Sequence, residues 1–203
     1  MRFIAALLLA LMIATPAAAA LDAKATADVA AIEAYLNGIN TLKAKFIQTT
    51  GDGKQLAGTF MLRRPGRMRF EYAPPVKDFI VADGMFIHYY DSAMKQGSRT
   101  LISKSLADFF LRKELTLSGD LKVAEVTRDG TYIMVKMVEA QDPNDGSLTL
   151  ALTEKPLALK KWRIVDPQGM ITEVELFDIA TGIQLDRDIF RYYDPEHTKS
   201  RYN

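Results

Sequence analysis

The chain has 203 residues, with 26 Lys and Arg against 25 Asp and Glu, two His, no Cys and 48% apolar residues. That is the size and composition of one globular domain able to bury a real core. Balanced charge argues against nucleic acid, whose phosphates demand a basic face. The lack of Cys excludes disulfides, thiolate metal sites, a thiol nucleophile and a lipid-anchored Cys of the protein's own.

Met1-Arg2 forms a short positive start, Phe3 to Ala14 is an unbroken apolar run, and Thr15-Pro16 precedes Ala17 to Ala20. Charge, a short apolar stretch and small residues are the three parts of a secretory signal, and the run is too short to span a bilayer. Residues 1–20 are therefore expected to be removed near Ala19 or Ala20, leaving residues 21–203. Loss of Arg2 equalises basic and acidic side chains. An exported protein with no Cys to be lipidated fits the periplasm of a double-membraned bacterium.

The first expected element is an amphipathic helix with Asp22 as N-cap, Val29, Ile32, Tyr35, Leu36 and Ile39 at helical spacing, and Gly38 near its stop. Then the period becomes two. Leu42, Ala44 and Phe46 alternate with Thr41, Lys43 and Lys45; Leu56, Gly58, Phe60 and Leu62 share a face; Met68, Phe70 and Tyr72 alternate with charged residues. Asp83-Gly84 marks a hairpin between Phe79–Val81 and Met85–Tyr90, and Asp129-Gly130 marks another between Val123–Val126 and Ile133–Val138. Ser103 to Arg112 reads as a helix with Ser105 and Asp108 in capping-box spacing. Further strands are expected at Ser147–Thr153, Leu159–Val165, Met170–Ile179 and Leu185–Tyr193, with a polar loop at 139–146. No repeat or low-complexity tract divides 21–203, so a single α+β domain is expected: a large, curved antiparallel sheet with helices on one face, able to enclose a ligand cavity.

Arg64 is the most informative residue. It shares the parity of Leu56, Gly58, Phe60 and Leu62, so an unbroken pleat points it to the apolar side, where a guanidinium needs acceptors. A frayed strand end would instead release it to water. Met61, Met68, Met85, Met94, Met134, Met137 and Met170 fall partly on sheet faces; thioethers suit flexible apolar ligands but also ordinary cores. Catalytic machinery is not apparent. His88 lies mid-strand, His197 lies in a polar tail, and neither HExxH nor GxSxG occurs. Glu173 with Glu175, and Asp186 with Asp188, read as solvated faces. No metal or cofactor site is expected.

The stretch Gly58 to Asp91 resembles the outer-membrane lipoprotein carrier family, LolA. The resemblance rests on Gly58-Thr59-Phe60-Met61-Leu62-Arg63-Arg64-Pro65, on the alternating strand Arg67 to Tyr72 with Pro74-Pro75, and on Ile80-Val81-Ala82-Asp83-Gly84 closing at Tyr90-Asp91. Phe46-Ile47-Gln48 is similar to the family's Phe-x-Gln strand, and Ser105–Leu111 sits where the family has a helix. The C-terminal run departs from the family's ending: Phe190-Arg191-Tyr192-Tyr193-Asp194-Pro195 leads into a different tail.

The resemblance implies a strongly curved, half-open antiparallel sheet, an incomplete barrel of about 10–11 strands, with helices as a lid over an apolar cavity. It implies a non-enzymatic periplasmic carrier, monomeric when empty. Such a carrier takes the acyl chains of triacylated lipoproteins released from the inner membrane by an ABC transporter and delivers them to an outer-membrane receptor. Arg64 would latch the lid; Phe46, Phe60, Leu62, Met68, Phe70, Tyr72, Leu106, Phe109 and Phe110 would line the cavity, with Met68 at its rim. The alternatives are a binding or sensor protein for another envelope lipid on the same fold and, in a different class, a secreted hydrolase without a recognisable motif.

Overall fold

The structure, a computed structural model, describes residues 21–105 and 107–196. The expected signal peptide, Leu106 and His197 lie outside the described residues. The chain opens with α1 (Ala23–Asn37), capped by Asp22, whose Oδ1 accepts from the Ala25 N–H at 2.7 Å. Its buried residues, Ile32 and Leu36, are one turn apart and face the sheet. There follow β1 (Thr41–Thr50), β2 (Gln55–Arg63), β3 (Arg67–Tyr72), β4 (Phe79–Asp83), β5 (Phe86–Asp91) and β6 (Gln96–Leu101). After a 3-10 turn at Ile102–Lys104 and the short helix α2 (Asp108–Leu111) come β7 (Leu121–Arg128), β8 (Ile133–Glu139), β9 (Ser147–Glu154), β10 (Leu157–Val165) and β11 (Ile171–Thr181).

All eleven strands form one antiparallel sheet in the order β6-β5-β4-β3-β2-β1-β11-β10-β9-β8-β7. It is two meanders joined where β1 pairs with β11. The sheet does not close, since β6 and β7 are its two edges although they are consecutive in sequence. The connection between them must therefore traverse the open side, and it carries α2 over the concave face. Alternation sends Leu42, Ala44 and Phe46 inward from β1, Phe60 and Leu62 from β2, and Leu148, Leu150 and Leu152 from β9, all under 5% exposed. Each Leu and Phe among them contributes about 1.5–3 kcal/mol by burial.

Three expectations are corrected. The segment Leu185–Tyr193 is not a strand: β11 has β1 and β10 on its two sides, so the chain after it cannot pair beside β11. It crosses the outer face instead, with a 3-10 turn at Asp188–Phe190. There Arg63 Nη1 donates to the Leu185 carbonyl at 3.1 Å and Arg69 Nη1 to the Ile189 carbonyl at 3.3 Å. Phe190 is 1% exposed, and Met61, Val81 and Tyr90 are buried on that same outer parity.

The helix expected over Ser103 to Arg112 is reduced to the 3-10 turn and the four residues of α2. Beyond α2, Leu115 and Leu117 are buried at spacing two, so the chain there runs extended toward the far edge. Ser105 and Asp108 form no capping box. Ser105 Oγ accepts from the Ala107 N–H, and the Asp108 carboxylate pairs with Arg112 at 2.7 Å. The third correction is β6, which sequence patterning had not indicated at all; its six residues are all exposed and show no alternation.

Two smaller shifts concern turns. Asp83 ends β4, and its carboxylate accepts from the N–H groups of Met85 (3.0 Å) and Phe86 (2.9 Å), so the loop is Gly84-Met85. Asp129 caps a four-residue loop in the same way, accepting from Thr131 and Tyr132.

Candidate functional site

Under α2 lies a cavity of about 670 Å³. Its walls are the inward parity of β2, β3, β4 and β5, its far side is β10 and β11, and Phe110 of α2 closes the top. An aromatic cluster forms its floor. The Phe60 and Phe70 rings lie 4.6 Å apart, Trp162 stands at 5.5 Å from Phe60 and 6.3 Å from Phe70, and Phe110 packs on Trp162 at 5.1 Å. At the other end the lining turns polar. Tyr72 donates its hydroxyl to Gln48 Oε1 at 2.8 Å, and Asp78 accepts from both the N–H (2.8 Å) and the hydroxyl (2.6 Å) of Ser92. Burial, with Tyr89 and Asp78 nearby, pushes the Tyr72 phenol up to about 12, so it stays a neutral donor.

Phe60, Met68, Phe70, Tyr72 and Phe110 all line this cavity. Phe46, Leu62 and Phe109 do not border it: at 1%, 3% and 2% exposure they belong to the packed core beside the cavity on the concave side. Phe46 meets Phe70 and Tyr72 edge-on at 5.1 and 5.4 Å and lies over Gly58, where no side chain would fit. Leu106 falls outside the described residues. Among the described methionines only Met68 lines the cavity; Met85, Met94 and Met170 are exposed and Met137 is fully buried. Sequence reading missed Trp162 and Ile164. A register shift between Leu159 and Lys161 breaks the period of two, so Leu159 and Trp162 are both buried though three apart.

Arg64 follows the last residue of β2 and is 9% exposed. Its Nη1 donates to the Leu36 carbonyl at 2.6 Å and its Nε to the Phe110 carbonyl at 2.7 Å. Leu36 is in the last turn of α1, where carbonyls lack intrahelical partners and the helix dipole is negative; this suits a cation. Among the described residues no carboxylate pairs with Arg64, and burial lowers the affinity of its guanidinium for its proton. A buried charge held only by two carbonyls ties α1 to α2. Beside it, the Gly66 N–H donates to the Leu111 carbonyl at 2.8 Å.

The two helices are held unequally. Asn37 of α1 exchanges two 2.8 Å hydrogen bonds with the backbone of Leu115, Glu33 accepts from the Leu117 N–H, Tyr35 accepts from Leu159, and Asp28 pairs with Arg128. The first three bonds hold α1 to the α2–β7 connection, and the last two reach β10 and β7. The shorter α2 has Arg64, Gly66 and the Arg112 ion pairs to Asp108 and Asp120. His88, on the outer face of β5, is bonded to Asp83 at 2.8 Å and stacked on Tyr192 at 4.5 Å. Glu173 is paired with Lys161 and Arg163.

The model of the family described as outer membrane lipoprotein carrier protein LolA matches residues 37–193. An outer-membrane lipoprotein carrier protein from Methylococcus capsulatus is 24% identical over 173 residues, covering 81% of this chain and 82% of that one. One from Legionella pneumophila strain Paris is 27% identical over 173 residues, covering 81% and 85%. Among solved structures, a DUF1329 family protein from Desulfovibrio piger superposes with a TM-score of 0.50 at 11% identity, covering 83% of this chain and 97% of that one. That likeness concerns the fold alone.

Proposed function

Because the chain belongs to the outer-membrane lipoprotein carrier family, LolA, we propose that it is a non-enzymatic periplasmic carrier working as a monomer. It would receive the acyl chains of lipoproteins released from the inner membrane by an ABC transporter and hand them to an outer-membrane receptor. The observation that carries this reading is the fork of Arg64 across the carbonyls of Leu36 and Phe110, above an apolar cavity.

Energetics favour such a latch. Three acyl chains carry on the order of 40–50 methylenes, each worth about 0.8 kcal/mol when buried. Their full burial would exceed the practical ceiling of roughly 20 kcal/mol for a non-covalent complex. A carrier must also let go. If loading breaks the two Arg64 bonds, the empty state gains what the loaded state loses, and binding is weakened to a level from which delivery is feasible. The cavity of about 670 Å³ suits a drug-sized ligand rather than three long chains, so loading requires the lid to move. The short α2, bonded to the end of β2 through Arg64 and Gly66, is the part that would lift.

Mass spectrometry of the protein purified from its own periplasm tests the reading. Co-purifying triacylated peptide supports the carrier. A free envelope lipid points to a lipid-binding or sensor protein, and turnover of an ester to a hydrolase; either result rejects it.

A further inference from the structure

The two edges of the sheet are treated differently. Strand β7 is interrupted by a register shift between Val123 and Glu125 and carries Lys122, Glu125 and Arg128. Bulges and charges of this kind blunt an edge against pairing. Strand β6 has neither device. Its register with β5 is unbroken from Phe86↔Leu101 to Asp91↔Gln96, it has no proline, and its one charge, Arg99, is folded over the Phe86 ring at 4.8 Å. In antiparallel pairing every second residue turns its N–H and C=O away from the partner strand. On β6 those groups have no partner among the described residues.

The same strand marks a change in chemistry along the concave surface. Ile87, Tyr89 and Asp91 of β5 line the cavity. Their cross-strand partners on β6 are Thr100, Ser98 and Gln96, which continue the wall on the same face but are polar and exposed. The inward side of β5 thus grades from Ile87 through Tyr89 to Asp91, and β6 beside it is a fully exposed polar strand suited to a hydrated chain with an open backbone edge.

We infer that β6 is the docking edge for the extended peptide that follows the acylated residue of the cargo. With the acyl chains among the cavity aromatics, that peptide adds to the sheet as a twelfth strand beside β6. Recognition is through main-chain hydrogen bonds, so it is tolerant of cargo sequence, as a carrier of many different lipoproteins requires. The inference rests on the carrier reading above.

Amide hydrogen exchange tests it, with the purified protein loaded either with a triacylated cysteine alone or with the same group followed by an eight-residue linker. Quenching of Trp162 by brominated acyl chains reports cavity binding independently. The inference predicts that alternate amides of residues 96–101 exchange tenfold or more slowly with the linker ligand and not with the acylated cysteine alone, and that N-methylation of alternate linker residues abolishes the slowing. Both ligands quenching Trp162 with β6 exchange unchanged overturns the docking edge and leaves the carrier reading standing. Neither ligand quenching Trp162 overturns the carrier reading and this inference together. Protection of β6 in the protein without ligand, accompanied by a dimer in light scattering, assigns the edge to a second copy and rejects the proposal.

Discussion

Arg63 and Arg64 are consecutive, yet they bond in opposite directions through the sheet. Arg64 donates inward to the carbonyls of Leu36 and Phe110, while Arg63 donates outward to the carbonyl of Leu185. The pleat alone produces this division. The end of β2 is thus where the lid on the concave face and the C-terminal segment on the outer face are both tied to the sheet.

The outer tie is expected to be structural. Arg63→Ala combined with Arg69→Ala removes two part-buried bonds to carbonyls, at about 1 kcal/mol each. Phe190→Ala empties a fully packed site and should cost about 3–5 kcal/mol. Urea titration should rank the two variants in that order. Unchanged midpoints in both would mean that the segment after β11 contributes nothing to stability.

Gly58 is a steric requirement. An added Cβ would lie 2.2 Å from the Glu71 carbonyl oxygen and 2.7 Å from the Phe46 ring. Gly58→Ala is expected to lose about 1–3 kcal/mol. At Gly97 the nearest atom is the hydroxyl end of Tyr192, at 2.3 Å, which can swing away. Thermal melts should therefore show Gly97→Ala as the milder change.

Trp162 is the chain's single tryptophan and stands in the cavity floor. Brominated acyl chains should quench its emission on loading, and Trp162→Phe should abolish the signal while leaving loading intact. Loading without quenching would place the chains outside this cavity and overturn the carrier reading built on it.

Much of this arrangement was legible in the sequence because it follows from parity. The alternation in β1, β2 and β3 located the concave wall, and the position of Arg64 after Leu62 pointed it inward. Parity failed where the pleat itself is interrupted: the register shift at Leu159/Lys161 hid Trp162. It also failed where no face is buried, because β6 has six exposed residues and no pattern to read. The segment after Thr181 alternates locally, but whether it becomes a strand depends on whether the position beside β11 is free, a property of the whole sheet.

Acid sensitivity should arise in part at Asp83. Burial opposes its ionisation, but the N–H groups of Phe86 and Met85 and the His88 side chain outweigh that and hold its carboxyl below the ordinary 3.8. With the folded value depressed, the contribution is fully present above about pH 4 and is lost as pH falls through the folded value. Asp83→Asn keeps one acceptor oxygen for the two N–H groups and cannot titrate. Its stability should fall less steeply than that of the parent chain between about pH 5 and pH 3 in urea titrations. Parallel curves would remove Asp83 from the account.

The carrier mechanism turns on Arg64. Its two bonds, from a charged donor at a buried site, are worth about 1.5–3 kcal/mol each to the empty state. Arg64→Leu therefore should raise cargo affinity by roughly 100-fold or more and correspondingly slow release. Arg64→Lys, a point donor that cannot fork across two carbonyls, should fall between. The direct test is transfer of triacylated lipoprotein from the loaded carrier to an acceptor after release from spheroplasts. Arg64→Leu is predicted to load normally and to deliver at least tenfold more slowly than the parent chain; equal delivery by the two proteins would contradict the latch.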